Sequence, residues 1–162
     1  MNPISIAARV RILAAVAVLA FAATATARAD STREVPAKPA PGPSPVTLSS
    51  AQQKIDMRDY AGAIPILTVI VKADPNNADA LNLMGFSLRK TGQTDMAMQY
   101  YMRALSIMPK HLGTNEYLGE LYVELGQVDK ARERLAVLHA ACGNCAQAQE
   151  LSEFIDKGRK KS

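Results

Sequence analysis

The sequence predicts an all-α protein, a short solenoid of antiparallel helix pairs closed by a C-terminal capping helix, and three observations carry that expectation. From Thr47 onward the 162-residue chain repeats itself at a spacing of 34 residues. Ala51, Gly85 and Gly119 share one column, Ala63, Ala97 and Ala131 a second, Leu67, Tyr101 and Leu135 a third, and Pro75 and Pro109 a fourth. Within a unit the apolar residues recur at helical spacing, as Leu81, Met84, Gly85 and Leu88 do, and no stretch reads as strand.

The elements follow in chain order. Residues 1–29 read as a secretory signal peptide: Arg9 and Arg11 make a positive start, Ile12 to Ala23 is almost purely apolar, and Ala27-Arg28-Ala29 is a small-x-small end. The apolar run is about a dozen residues, short of the roughly 20 that span a bilayer, so cleavage after Ala29 is expected rather than a stable membrane anchor. Arg9, Arg11 and Arg28 carry most of the formal net charge of +4. The mature chain is close to neutral, which argues against nucleic acid as a partner. Residues 30–46 hold Pro36, Pro39, Pro41, Pro43 and Pro45 with few large apolar groups, the composition of an extended linker.

Residues 47–141 divide into three helix pairs. In the middle unit the first helix ends at Thr91-Gly92-Gln93, and a second runs from about Asp95 with Ala97, Tyr101, Ala104 and Leu105 inward. The glycine and alanines let two backbones approach, the aromatic ring fills the remaining space, and Pro109 ends the unit. Pro65 is tolerated only near a helix start, which places the start of the first unit's second helix close to Ala61. Residues 142–158 form a cysteine turn and a capping helix. Ala148, Leu151, Phe154 and Ile155 make its inner stripe, and Gln149, Glu150, Ser152, Glu153 and Lys157 cover its other side. Residues 159–162 are a basic, solvated tail.

Little in the sequence supports catalysis or a cofactor. Cys142 and Cys145 are the only cysteines, and in an exported chain their spacing suits a local structural disulfide. Thiol-redox chemistry would need a strand context that is missing. Haem attachment would need histidine where Ala146 stands, and zinc would need more ligands than His139 and the two cysteines. His111 and His139 lack a neighbouring nucleophile with an orienting acid, and no phosphate-cradling or metallopeptidase motif occurs. The tyrosines read as packing, with Tyr60 and Tyr100 less settled. Met98 and Met102 make an outward patch for which copper is a minor alternative.

Leu81, Met84-Gly85, Leu88, Ala97, Tyr101, Ala104 and Pro109, with Leu118-Gly119, Tyr122, Ala131 and Leu135 in the third unit, resemble the tetratricopeptide repeat family. Asn115 and Thr47 depart from it, standing where the family has a large apolar residue. The cysteine turn and last helix are similar to those of small exported bacterial members. The resemblance implies a right-handed solenoid that binds protein or peptide on a concave face lined by the first helix of each pair, without cofactor or enzymatic activity.

Overlaid at the repeat spacing, Leu48, Asn82 and Glu116 share a column, as do Gln52, Phe86 and Glu120, and Asp56, Lys90 and Glu124. They lie off the apolar stripe and form one strip. The expected binding residues are therefore Asn82, Phe86, Arg89, Lys90, Glu116, Glu120 and Glu124. Carboxylates outnumber cations there, which disfavours the family's carboxylate-clamp ligand and favours a basic amphipathic segment anchored on Phe86. The expected role is that of a scaffold or adaptor in the cell envelope, periplasmic or secreted. The alternatives are a thiol or metal protein using Cys142 and Cys145, and a structural subunit that self-associates or continues its stack into a partner.

Overall fold

The structure is a computed structural model, and it describes residues 46–159. The signal peptide, nearly all of the linker and the last three residues of the tail lie outside the described residues. Among the described residues the chain forms seven helices and no strand: α1 Leu48–Asp56, α2 Tyr60–Ala73, α3 Ala78–Lys90, α4 Thr94–Ile107, α5 Leu112–Glu124, α6 Val128–Cys142 and α7 Ala146–Arg159. Each helix packs on the next, α1, α3 and α5 also touch in sequence, and α7 lies against both α5 and α6. The first helices of the pairs thus form one layer and the second helices another.

The small-residue columns explain why the layers close. Gly85 lies under the Tyr101 ring, where an added Cβ would come within 2.6 Å of ring carbons. Gly119 plays the same part, but the side chain above it is Leu151 of α7. Ala51, Ala63, Leu67, Leu81, Met84, Tyr101 and Leu118 belong to one buried cluster, and Ala131, Leu138, Ala148, Leu151 and Ile155 to a second. Tyr122 packs against both. Ala146 stands 34 residues beyond Leu112, so the expected capping helix occupies the first-helix place of a fourth unit.

Both departures from the repeat pattern have a local cause. Thr47 is the N-cap of α1: its hydroxyl accepts from the Ser50 N–H at 3.1 Å, and the Ser50 hydroxyl accepts from the Thr47 N–H at 3.0 Å. α1 consequently starts late in the repeat register, just past Pro45. Asn115 is fully buried, and its amide donates to the carbonyls of Pro109 and His111, both at 3.0 Å. It ties down the turn between α4 and α5 instead of filling an apolar hole. α2 begins at Tyr60, one residue before the expected Ala61, behind the Asp59 cap. Pro65 is exposed, and the backbone N–H it lacks leaves only the Ala61 carbonyl without its helical donor.

Candidate ligand groove

The layer built by α1, α3 and α5 carries a cleft of about 390 Å³ lined by Leu48, Ser49, Gln52, Asp79, Asn82, Leu83 and Tyr117. Its position follows from the repeat. The residues off each buried stripe lie on three adjacent helices, of which α1 is shorter, 9 residues against 13 in α3 and α5. Asn82 is buried at the cleft wall, held by the Thr114 hydroxyl donating to its Oδ1 at 3.1 Å. His111 caps α5 by accepting the Thr114 N–H on Nδ1 at 3.1 Å. That fixes the proton on Nε2, which reaches Asp79 at 2.9 Å across the α3–α5 seam.

Beside the cleft lies an aromatic run. Phe86 meets the Tyr60 ring edge-on at 5.8 Å between centroids and the Tyr117 ring at 4.6 Å. Lys90 sits 5.3 Å above Phe86, and Arg89 lies 5.8 Å from the Phe86 ring and 6.0 Å from Tyr117. Tyr117 belongs both to this run and to the cleft, so the apolar surface is continuous from Leu48 and Leu83 to the half-buried Phe86.

The charged residues of the strip divide into two groups. Arg89 is buried and ion-paired to Glu120 and, at 3.2 Å, to Glu124. Those two carboxylates answer an internal cation, and only Glu124 is substantially exposed. Glu116 is 4% exposed, on the side of α5 that packs against α7 and Glu150. Burial pushes the Glu116 carboxyl up to about 8, the Glu150 hydrogen bond and charge and the Glu120 charge add to that, and Arg89 opposes it. The Tyr117 hydroxyl is likewise pushed up to about 12, by burial first and then by the Glu116 charge.

All seven residues expected from the sequence, Asn82, Phe86, Arg89, Lys90, Glu116, Glu120 and Glu124, sit on α3 and α5 in this layer. Asn82 lines the cleft; Phe86 and Lys90 flank it through the aromatic run. The expectation omitted Ser49, Asp79, Leu83 and Glu150, and read Tyr117 as packing. Leu83 and Tyr117 share a repeat column next to that of Asn82 and Glu116, and Glu150 lies 34 residues beyond Glu116, so both signals were present in the repeat. The Cys142 and Cys145 sulfurs are 2.06 Å apart in the α6–α7 turn, joined as a disulfide away from the cleft. Among the described residues no three His, Cys, Asp or Glu side chains converge as metal ligands, and no helix is long and apolar enough to cross a membrane.

Comparison with known proteins places these observations. Residues 67–99 and 88–153 each match a tetratricopeptide repeat family. Among curated proteins, the chain is 28% identical over 116 residues to the human general transcription factor 3C polypeptide 3, covering 68% of this chain and 13% of that protein. It is 29% identical over 82 residues to tetratricopeptide repeat protein 37 of Xenopus laevis, covering 51% of this chain and 5% of that one. The chain therefore spans only a small part of these relatives. Among solved structures, the type III secretion translocator chaperone SycD of Yersinia enterocolitica, in complex with a peptide of the translocator YopD, superposes with a TM-score of 0.60 at 17% identity, over 70% of this chain and 90% of that one. The TPR2B domain of yeast Sti1, in a complex with pHsp70, gives 0.62 at 16%, over 71% and 98%.

Proposed function

Because this chain belongs to the tetratricopeptide repeat family, we propose that it is a non-enzymatic scaffold that holds a segment of another protein in the groove of α1, α3 and α5. The observation that carries the proposal is the cleft bounded by Leu48, Asn82, Leu83 and Tyr117 and continued by Phe86. It is concave, with Leu48, Leu83 and Tyr117 as its apolar surface and Ser49, Gln52, Asp79 and Asn82 as its polar groups. The peptide complex of SycD and the pHsp70 complex of the Sti1 domain, which share the fold, support the reading.

Charge sets the partner's character. Beyond the Arg89 ion pairs to Glu120 and Glu124, the helices of this layer and α7 carry Asp56, Asp79 and Glu150 beside Lys90, so the surface favours an amphipathic segment with basic residues. Its apolar side would rest on Leu83, Tyr117 and Phe86. The leader read from residues 1–29 puts this scaffold in the cell envelope in our proposal, and the N-terminal mass of the protein recovered from its host decides that part.

The experiment is binding of a peptide, selected by display against the full chain, to the wild type and to the double variant Ser49→Arg/Gln52→Arg. Both residues are exposed, so the variant should fold and melt as the wild type does while losing at least about tenfold in affinity. Undiminished affinity would place binding elsewhere on the molecule.

A further inference from the structure

The cleft wall holds a hydrogen-bond donor that the chain itself leaves unused, the side-chain amide of Asn82. The residue is 6% exposed, and the Thr114 hydroxyl donates to its Oδ1 at 3.1 Å. Its Nδ2 makes no hydrogen bond among the described residues. The sealed side-chain polar atoms without a partner are Ser87 Oγ, Arg89 Nε and Tyr101 Oη, so Nδ2 is not sealed and opens to the cleft that Asn82 lines. Gly113 keeps room for it, since a Cβ there would stand 3.2 Å from Nδ2. Two neighbours on α5 and its cap determine which end of the amide faces the cleft. The Thr114 N–H takes the lone pair of His111 Nδ1 at 3.1 Å, and Nε2 of the same ring is held by Asp79 at 2.9 Å. The Thr114 hydroxyl, 2.9 Å from that occupied Nδ1, therefore gives its proton to Asn82 Oδ1. With the amide reversed, Nδ2 would donate to the hydroxyl, whose own proton would have only the occupied Nδ1 to meet.

A donor fixed in this way asks for an oxygen acceptor, and the surroundings select which kind. Asp79 lines the same cleft and repels a carboxylate. An apolar side chain seated on Leu48, Leu83 and Tyr117 takes its own main-chain carbonyl out of water, and a buried carbonyl must be paired. We infer that Asn82 Nδ2 donates to a main-chain carbonyl of the segment held in the groove, and that Thr114 and His111 are positioning residues that keep this donor, and not Oδ1, toward the ligand. The bond rests on the groove proposed above and adds what apolar contact lacks. It fixes the register of the segment at one residue without reading that residue's side chain, while Leu48, Leu83 and Tyr117 select apolar neighbours.

The test scans a display-selected peptide with single amide-to-ester replacements, each of which weakens one main-chain carbonyl as an acceptor, and measures affinity for the full chain. One position should lose roughly three- to tenfold, the share of an ordinary hydrogen bond. The same ester should cost almost nothing on Asn82→Asp, which keeps an oxygen for the Thr114 hydroxyl but carries no donor. Thr114→Val should likewise erase the ester's cost, and Thr114→Ser should restore it; a merely structural Thr114 would lower affinity and leave that cost unchanged. The wild type supplies a measurement that needs no substitution of a buried residue: the side-chain amide resonances of Asn82 in isotopically labelled protein should shift as the peptide is added. A scan with no sensitive position, a loss that is equal on Asn82→Asp, or Asn82 side-chain resonances that stay in place overturns the inference, and a peptide still blocked by Ser49→Arg/Gln52→Arg then leaves the groove standing. An ester cost unchanged by Thr114→Val overturns the positioning role. Binding indifferent to Ser49→Arg/Gln52→Arg overturns both the groove and the bond within it.

Discussion

Arg89 changes what the acidic strip can offer. Taken as sequence, Glu116, Glu120 and Glu124 are three free carboxylates at helical spacing; in the fold a buried guanidinium holds two of them, and its Nε has no acceptor among the described residues. Removing one member of such a pair leaves the other charge uncompensated at a cost of about 3 kcal/mol or more. Reversing Glu120 would therefore damage the fold as well as binding, and exposed residues such as Ser49 and Gln52 make the cleaner probes. Glu116 carries a prediction of its own. Its folded pKa is raised above the ordinary 4.5 toward about 8, so the folded chain binds this proton more tightly than the unfolded chain does. The stability it contributes is complete below about 4.5 and is lost as pH rises through about 8. In denaturant titrations the stability of the wild type should decline from pH 5 to pH 8 relative to Glu116→Gln, by at least about 1 kcal/mol. Parallel profiles for the two proteins would mean that the carboxyl is solvated and ordinary.

At the scale of the elements, the helix pairs were legible because their closest contacts need particular residue types. Gly85 under Tyr101 leaves no room for a Cβ, and the same small-against-large pairing marks each unit in the sequence. What was less legible depended on where a helix sits relative to a partner distant in the chain. The last helix was readable as a cap, but its place against α5, which brings Glu150 to Glu116 and Leu151 over Gly119, follows only when the repeat spacing is carried past Glu124 into α7. Arg89 was readable as a strip residue, but not as the internal partner of Glu120 and Glu124. The turns inside the pairs give a second example. Gly92 and Gly126 hold φ of 80° and 72°, and the residue in that column of the first unit is Arg58, at φ 59°. A side chain in this left-handed region costs about 1 kcal/mol, partly offset because glycine loses more entropy on folding. Arg58→Gly should raise the melting temperature by a few degrees, since 1 kcal/mol corresponds to about 4–8 °C in a domain of this size. A lower melting temperature would show that the Arg58 side chain contributes more than its backbone conformation costs.

For the molecule as a whole, three helix pairs and a half-unit at the α7 end present one continuous layer, apolar toward α1 and acidic toward α7. Structures that share the fold at 16–17% identity are seen in complexes with a YopD peptide and with pHsp70; in the function proposed for this chain, its own residues determine which segment fits. Exposed Met96, Met102 and Met108 on and just beyond α4 offer a competing apolar surface on the other layer. The choice between layers is therefore the central claim. Amide chemical shifts of the isotopically labelled full chain, recorded as a display-selected peptide is added, test it most directly. The largest changes should fall on Gln52, Asn82, Leu83, Phe86 and Tyr117. Changes concentrated on α2, α4 and α6, with α1, α3 and α5 unmoved, would contradict it.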